Sequence, residues 1–111
     1  MATITAVELH KIFASDSGKA KNTFIGDENN KKVTRVSGEV AELKKDQQQQ
    51  QVILLKTSTE GAFINCTMEE KSAPVKVGTI ITIQGMCTGY NFDADMGIPG
   101  DVVLLRCYLV R

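Results

Sequence analysis

Three cysteines and one histidine are the residues of this 111-residue chain that could do nucleophilic, redox or metal chemistry. Cys66, Cys87 and Cys107 lie far apart in the sequence and far from His10, so there is no Cys-x-x-Cys motif and no Cys/His cluster. Zinc sites need such ligands at short spacings, and a nucleophilic cysteine needs an activating neighbour. The sequence therefore predicts no metal site, no cofactor and no catalytic residue, and we expect a protein that is not an enzyme.

The pairing of the cysteines has two interpretations. Cys87 and Cys107 lie at inward-facing positions of two consecutive predicted strands. They could be buried thiols that pack as small hydrophobic side chains. They could also form a disulfide in an oxidising compartment, provided that their α-carbons lie within about 7 Å. Cys66 stays unpaired in either case, and this odd number favours a reducing location.

The two strands that carry these cysteines form residues 77–111. Both strands alternate apolar and polar residues, which predicts that one face of each strand is buried. Gly85 and Gly89 interrupt the first strand, where the backbone must bend or approach a neighbour closely. The inward-facing residues predicted for the pair are Ile81, Ile83, Cys87, Val103, Leu105, Cys107 and Leu109, with Arg106 on the opposite face.

A helix is predicted over residues 5–15. Thr5 and Glu8 have the spacing of a capping box. The residues Ser15 to Gly18 then favour the end of the helix. His10 lies beside the apolar stripe, and we expect it to be partly exposed, with no partner for general-base catalysis. The apolar stripe of this helix is formed by Ala6, Leu9, Ile12 and Phe13.

Three further strands are predicted, over residues 32–43, 52–57 and 62–68. Gly38 is the expected bend that lets the first of them pair with neighbours on both sides. The second strand is apolar throughout, so its sequence does not show which face is buried. In the third strand the predicted core residues are Ala62, Ile64, Cys66 and Met68.

The connections between these elements are polar. Residues 19–32 are predicted as a loop or as an extension of the helix. The glutamine run 47–51 is predicted as a hairpin connection, because it lies between two strands. Pro74 limits the connection 69–76 to one helical turn at most.

Several short motifs resemble one protein family. Residues 85–89 (Gly-Met-Cys-Thr-Gly), residues 100–104 (Gly-Asp-Val-Val-Leu) and Cys107 resemble the end of the tRNA-anticodon-like OB-fold family of small bacterial proteins. Residues 8–13 and 36–40 resemble that family's helix and first strand, in the same order. The match spans most of the chain.

The resemblance implies both a fold and a ligand. The expected fold is mainly β, a five-stranded OB-fold Greek-key barrel with an N-terminal α-helix that plugs one end. It would form one domain over residues 1–111, with the helix at 5–15 and the barrel at 32–111. The family is usually described as nucleic-acid binding. The resemblance therefore implies the same for this chain, as an expectation based on fold analogy.

Aromatic and basic residues are the candidates for such binding. OB folds bind oligonucleotides or oligosaccharides on the face of strands two and three, between flanking loops. Tyr90 and Phe92, in the predicted recognition loop 90–100, could stack on a base or a sugar ring, and Phe63 could extend that surface. The alternative is that these rings cover the end of the barrel. The candidate phosphate contacts are Lys56, Lys44, Lys45 and Arg35.

The charge balance bears on the ligand. Thirteen basic and thirteen acidic residues give a net charge of zero, so nucleic-acid binding requires a local basic patch. Asp93, Asp95 and Asp101 lack the spacing of an EF-hand calcium loop and are predicted to form turns. We therefore expect a noncatalytic module that binds single-stranded DNA or RNA. The alternative is an OB module of the bacterial cell envelope that binds a protein or an oligosaccharide.

The location and the assembly of the protein stay open. No run of about 18 apolar residues could span a bilayer, and the first residues have neither the basic start nor the apolar core of a signal peptide. The sequence as it stands predicts a cytoplasmic protein. If Met1 replaces a removed export signal, the cell envelope or the periplasm is expected instead. The oligomeric state has no signal in the sequence.

Overall fold

The computed structural model describes residues 3–26, 32–69, 74–93 and 95–110, without the side chains of residues 92, 93, 98 and 99. The structure is mainly β, as predicted, and has two helices near its N-terminus where one was predicted. Both helices are too short to cross a membrane. The elements are β1 (Thr3–Thr5), α1 (Ala6–Ser15), α2 (Ser17–Phe24), β2 (Thr34–Lys45), β3 (Gln51–Lys56), β4 (Phe63–Met68), β5 (Ile80–Asp93) and β6 (Ile98–Leu109).

Five strands close into a barrel in the order β2, β3, β4, β6, β5 and back to β2. Closure depends on β2, which pairs with β5 through residues 34–39 and with β3 through residues 40–45. A register shift between Val40 and Glu42 marks this change of partner. The predicted five-stranded barrel of OB type is therefore confirmed.

Gly38 lies just before the change of partner and has a further role. A Cβ atom at this position would lie 2.8 Å from the Cβ of Ala6 and 3.3 Å from the Cβ of Leu55. The absent side chain thus lets α1 pack directly on β2. In the prediction Gly38 was only a bend between two sheet neighbours.

The core fills the barrel and the space under α1. The alternation predicted for β4 is confirmed, because its inward set is fully buried. In β3 the residues of both faces are buried, which explains the uninterrupted apolar sequence. The buried apolar residues of the strands include Val36, Val40, Ile53, Leu55, Ala62, Ile64, Cys66, Met68, Ile83, Cys87, Val102, Leu104 and Cys107.

A β-bulge in β6 makes the predicted inward face of that strand partly wrong. Arg106 has φ +54°, a left-handed conformation, and one extra residue of β6 is inserted opposite both β4 and β5. Such an insertion shifts the alternation by one residue. Val102 and Leu104 are buried in place of Val103 and Leu105, whereas Cys107, beyond the bulge, is buried as predicted.

The helix prediction holds for α1, but two side chains differ. Thr5 is the N-cap, and its hydroxyl accepts a hydrogen bond from the amide of Glu8 at 3.1 Å. His10 is buried, contrary to the expectation that it is partly exposed, whereas Ile12 is 39% exposed instead of buried. The buried face of α1 follows Ala6, Leu9, His10 and Phe13, which is the i, i+3, i+4, i+7 pattern of one helix face.

A second helix follows at once. Asp16 caps the start of α2, where its carboxylate accepts a hydrogen bond from the amide of Lys19 at 3.0 Å. Gly18, predicted to help end the first helix, lies in the first turn of α2. Residues 19–24 therefore belong to a separate helix and form neither the predicted loop nor an extension of α1. Residues 27–31 lie outside the described part of the chain.

The predicted recognition loop 90–100 is mostly strand. β5 continues to Asp93 and β6 begins at Ile98, so the two strands form one long hairpin. The turn between them contains Gly97, with φ +66°. Half of the predicted one-turn connection 69–76, namely residues 70–73, lies outside the described residues. The sequence analysis missed β1, which pairs in parallel with residues 35–37 of β2.

Candidate functional site

The outward-facing side chains of β2, β3 and β4 form the candidate binding surface. Antiparallel pairing places Lys56 of β3 directly opposite Phe63 of β4, so the two side chains lie on one face as neighbours. Lys44 lies on the same face, opposite Val52. We call this surface the outer face, defined by Lys44, Val52, Leu54, Lys56, Phe63, Asn65 and Thr67.

The centre of the outer face is apolar. Leu54 and Val52 point away from the barrel interior, yet they are only 3% and 8% exposed. Phe63, on the same face, is partly exposed. The outer face therefore has a buried apolar centre, with one partly exposed aromatic ring and longer polar side chains around it.

Both lysines of the outer face are paired with carboxylates. Lys56 Nζ lies 2.8 Å from Glu39 Oε2, and Lys44 Nζ lies 3.8 Å from Glu42 Oε2. These side chains are about half exposed, so each pair contributes little to stability. The pairs do lower the positive potential of the face, and this bears directly on which ligands it can attract.

The other two basic candidates lie elsewhere. Lys45 has the opposite parity to Lys44 and pairs with Gln51 at the end of its strand. Arg35 lies on the part of β2 that pairs with β5, where its guanidinium donates a hydrogen bond to Gln84 Oε1 at 2.9 Å. The structure thus brings Lys44, Lys56 and Phe63 together and leaves Lys45 and Arg35 away from them.

Tyr90 packs between the barrel and α1. Its ring centroid lies 5.5 Å from that of Phe13 and 6.1 Å from that of His10, edge to face in the second pair. Burial raises the pKa of the Tyr90 phenol above its ordinary value. This placement matches the alternative in which the ring covers the end of the barrel. Phe92 lies in β5, and its side chain is outside the described part of the structure.

His10 is the residue whose role the sequence reasoning missed. Its Nε2 lies 2.9 Å from the carbonyl oxygen of Gly100 in β6, and since a carbonyl only accepts, Nε2 carries the hydrogen. His10 lies four residues after the apolar Ala6, so both are on one helix face, and this spacing could have predicted that His10 is buried. The histidine joins the helix to the barrel and is not placed beside a nucleophile.

The three cysteines are free, buried thiols. Cys87 and Cys107 form no disulfide in this structure. Cys87 pairs with Leu104, whereas Cys107 lies beyond the bulge, against Gly85. The three side chains pack in the core as in the first interpretation, in which they are small hydrophobic side chains.

The environment of the thiols disfavours their charged form. A hydrogen bond with Cys107, together with burial, raises the pKa of the Cys66 thiol well above its ordinary value. Burial raises the pKa of Cys87 to about 11. Thiols with raised pKa values are poor nucleophiles and poor metal ligands at neutral pH.

Asp101 has a structural role other than the predicted turn. Its carboxylate accepts a hydrogen bond from the backbone amide of Phe63 at 2.9 Å, which ties the start of β4 to β6. Within residues 3–26, 32–69, 74–93 and 95–110, no group of three or more His, Cys, Asp or Glu side chains could hold a metal ion.

Comparison with known proteins identifies the family of this chain. No curated protein matches it. The model of the tRNA_anti-like family matches residues 1–108, which is nearly the whole sequence. The match agrees with the closed five-stranded barrel and its N-terminal helix. The chain is a member of the tRNA_anti-like family.

Proposed function

We propose that this protein is a noncatalytic OB-type module that binds single-stranded nucleic acid on its outer face. The observation that carries the proposal is the placement of Lys56 directly opposite Phe63. An aromatic ring stacks on a base of any sequence, and a neighbouring ammonium group contacts the phosphate that follows it. Lys44 lies on the same face, two strands away from Phe63 and four residues, or about 13 Å, further along the strand direction.

The polar side chains of β4 on this face support the same ligand. Val52 and Leu54 lie between the two lysines, with Asn65 and Thr67 beside them on β4. A base that stacks on Phe63 can form hydrogen bonds with the side-chain amide of Asn65 or the hydroxyl of Thr67, which are partly exposed. The family match is consistent with this use of the barrel.

The second candidate ligand is a neutral surface of a protein or an oligosaccharide. It is favoured by one observation, the pairing of Lys56 with Glu39 at 2.8 Å and of Lys44 with Glu42 at 3.8 Å. A face whose lysines are already paired attracts a polyanion less strongly than a face with unpaired lysines does. A neutral ligand does not lose affinity in this way. The two candidates differ in their salt dependence, because only polyanion binding releases counterions.

A fluorescence-anisotropy titration separates the candidates. Labelled single-stranded DNA and RNA are titrated at about 50 and 200 mM salt, a range over which multiple phosphate contacts lose much of their affinity. We expect salt-sensitive binding that weakens in Phe63→Leu and in Lys56→Gln. The matched control is Lys21→Ala, which removes an exposed charge on α2. Absence of binding at the lower salt contradicts the proposal and leaves the neutral ligand.

A further inference from the structure

A second group of polar and aromatic side chains lies on β5 and β6, around the bulge. It lines a shallow depression of about 260 Å³. Arg106 and Tyr108 project into this depression from β6, and Gln84 and Met86 line it from β5. The depression is lined by Val33, Glu69, Gln84, Gly85, Met86, Arg106 and Tyr108.

Arg106 is an exposed cation that differs from the lysines of the outer face. It forms no hydrogen bond or ion pair within the described residues, whereas Lys56 and Lys44 are both paired with glutamates. Its backbone has φ +54°, which non-glycine residues rarely adopt. Such conformations concentrate at functional sites. Here the bulge leaves two consecutive residues, Leu105 and Arg106, exposed between the buried Leu104 and Cys107.

Tyr108 supplies an aromatic surface beside this cation. It is 51% exposed, which is unusual for a large ring on a barrel strand. Tyr108 pairs with Gln84, and Gln84 pairs with Arg35. The hydrogen bond of 2.9 Å from Arg35 to Gln84 fixes the amide, and its NH₂ group stays available as a donor. The three side chains form one row across three strands.

The depression lies next to the outer face, across the pairing of β4 with β6. In the pairing of β4 with β6, Thr67 lies between the Cys66–Leu104 and Met68–Cys107 pairs, so it faces the bulge. On its other side Thr67 pairs with Val52, which pairs with Lys44. A strand lying on the outer face therefore reaches Arg106 by crossing one neighbouring β-strand, about 5 Å away.

We infer that the bulge forms the second end of the binding surface, where Arg106 contacts a phosphate and Tyr108 stacks on a base of single-stranded nucleic acid. The inference rests on the proposed function for its ligand class. In this inference Arg106 of β6 is the unpaired cation that the outer face lacks. It also gives Arg35 a role, since the Arg35–Gln84 hydrogen bond holds the amide beside the tyrosine ring. Glu69 also lines the depression, and its negative charge repels a phosphate bound there.

The test uses variants that keep the bulge. Arg106→Gly removes the guanidinium, and glycine adopts positive φ readily, so the strand keeps its shape. Tyr108→Leu removes the ring, and Tyr108→Phe keeps it. Lys21→Ala is the matched control for the loss of one exposed charge. The probe is a labelled single-stranded DNA of about ten nucleotides, within the site size of one OB fold.

The expected results are specific for each contact. Arg106→Gly lowers the affinity several-fold and reduces the salt slope by about 0.7, the value for one phosphate of a single strand. Tyr108→Leu lowers the affinity about 5- to 100-fold, as for the loss of one stacked base, whereas Tyr108→Phe stays near the wild type. Glu69→Gln raises the affinity, because it removes a repulsion.

Two results would overturn the inference in distinguishable ways. If Phe63→Leu and Lys56→Gln weaken binding while Arg106→Gly and Tyr108→Leu match the Lys21→Ala control, the second end is wrong and the proposed function stands. If the wild-type protein does not bind the probe at about 50 mM salt, where phosphate contacts are strongest, both proposals fail together.

Discussion

At the scale of single residues, His10 illustrates how a buried polar side chain can join two parts of the molecule. Its ring lies 2.9 Å from the Gly100 carbonyl and edge to face with Tyr90. The sequence predicted a partly exposed histidine, because the stripe of apolar residues was drawn through Ile12. A polar residue gives no hydrophobic signal even when a hydrogen bond allows its burial.

His10→Ala is expected to destabilise the protein by about 2–3 kcal/mol. The substitution leaves a cavity under α1 and removes the hydrogen bond to Gly100. Unfolding in urea measures the change. The control is Lys11→Ala on the exposed side of the same helix, where an effect within about 0.5 kcal/mol is expected. Equal stabilities of the two variants would contradict the role given to His10.

Cys87 is expected to make the stability fall at alkaline pH. Burial raises the pKa of its thiol from 9.0 to about 11, so the folded state holds this proton more tightly than the unfolded state. The stabilisation is complete below pH 9 and is lost as the pH rises towards 11. By pH 10.5 the loss is about 2 kcal/mol.

Urea unfolding under reducing conditions, at pH 8 and pH 10.5, measures the effect of Cys87. Other groups also titrate in this range, so the comparison is with Cys87→Ala. The wild type should lose more stability between the two pH values than the variant does. Equal losses would show that Cys87 does not hold its proton more tightly in the folded state.

The Glu39→Gln variant distinguishes a nucleic-acid ligand from a neutral ligand, because it removes one negative charge. The substitution releases Lys56 from its 2.8 Å ion pair and removes a negative charge beside the outer face. Affinity for single-stranded DNA should rise several-fold at about 50 mM salt, and this gain should shrink at about 200 mM. An unchanged or weaker affinity in the anisotropy titration would argue against phosphate contact at Lys56.

At the scale of elements, the predicted alternation worked where a strand is regular. The inward residues Ile83 and Cys87 of β5 and the inward set of β4 are buried as predicted. The alternation predicted for β6 was wrong before Arg106, because a bulge shifts the parity and leaves no signature in the amino-acid types. The strand β1 was missed because three residues are too few to show a period.

Gly85 is required where β5 crosses this bulge. A Cβ atom there would overlap the sulfur of Cys107 and lie 3.2 Å from the carbonyl oxygen of Leu105. Gly85→Ala should therefore cost about 1–3 kcal/mol, as for other overpacked sites. Gly89→Ala on the same strand is the control, since nothing lies within 4 Å of its added Cβ.

A double variant tests the cause of the Gly85 effect. Cys107→Ala removes the overlapping sulfur, so Gly85→Ala should cost less in that background than in the wild type. The difference is measured as a double-mutant cycle of urea unfolding free energies. A cost of Gly85→Ala that is the same in both backgrounds would show that the sulfur is not the obstacle.

At the scale of the whole molecule, the fold was more predictable than the site. The motifs at 85–89 and 100–104 pointed to a barrel that the strand order confirms. The alternation of β4 placed Phe63 on the outward face, whereas the apolar run of β3 did not show on which face Lys56 lies. The pairing of Lys56 with Glu39 depends on the register between β3 and β2, which the sequence does not show, whereas Lys44 and Glu42 lie two residues apart on one face of β2.

The remaining candidates depended on the connectivity of the whole barrel. Tyr90 was assigned to a loop, but β5 extends through it and directs the ring towards α1. Arg35 lies on the half of β2 that pairs with β5, away from Lys56. The change of partner within β2 separates these halves, and it is a property of barrel closure, not of local sequence.

The most direct measurement of the central claim is a two-dimensional ¹H–¹⁵N NMR titration of the labelled protein with a single-stranded oligonucleotide of about ten nucleotides. Binding on the outer face predicts that the amide signals of residues 52–56 and 63–67 move together and saturate. The signals of α2 should stay in place. Shifts confined to the helices, or no shifts at low salt, would contradict binding of nucleic acid on this face of the barrel.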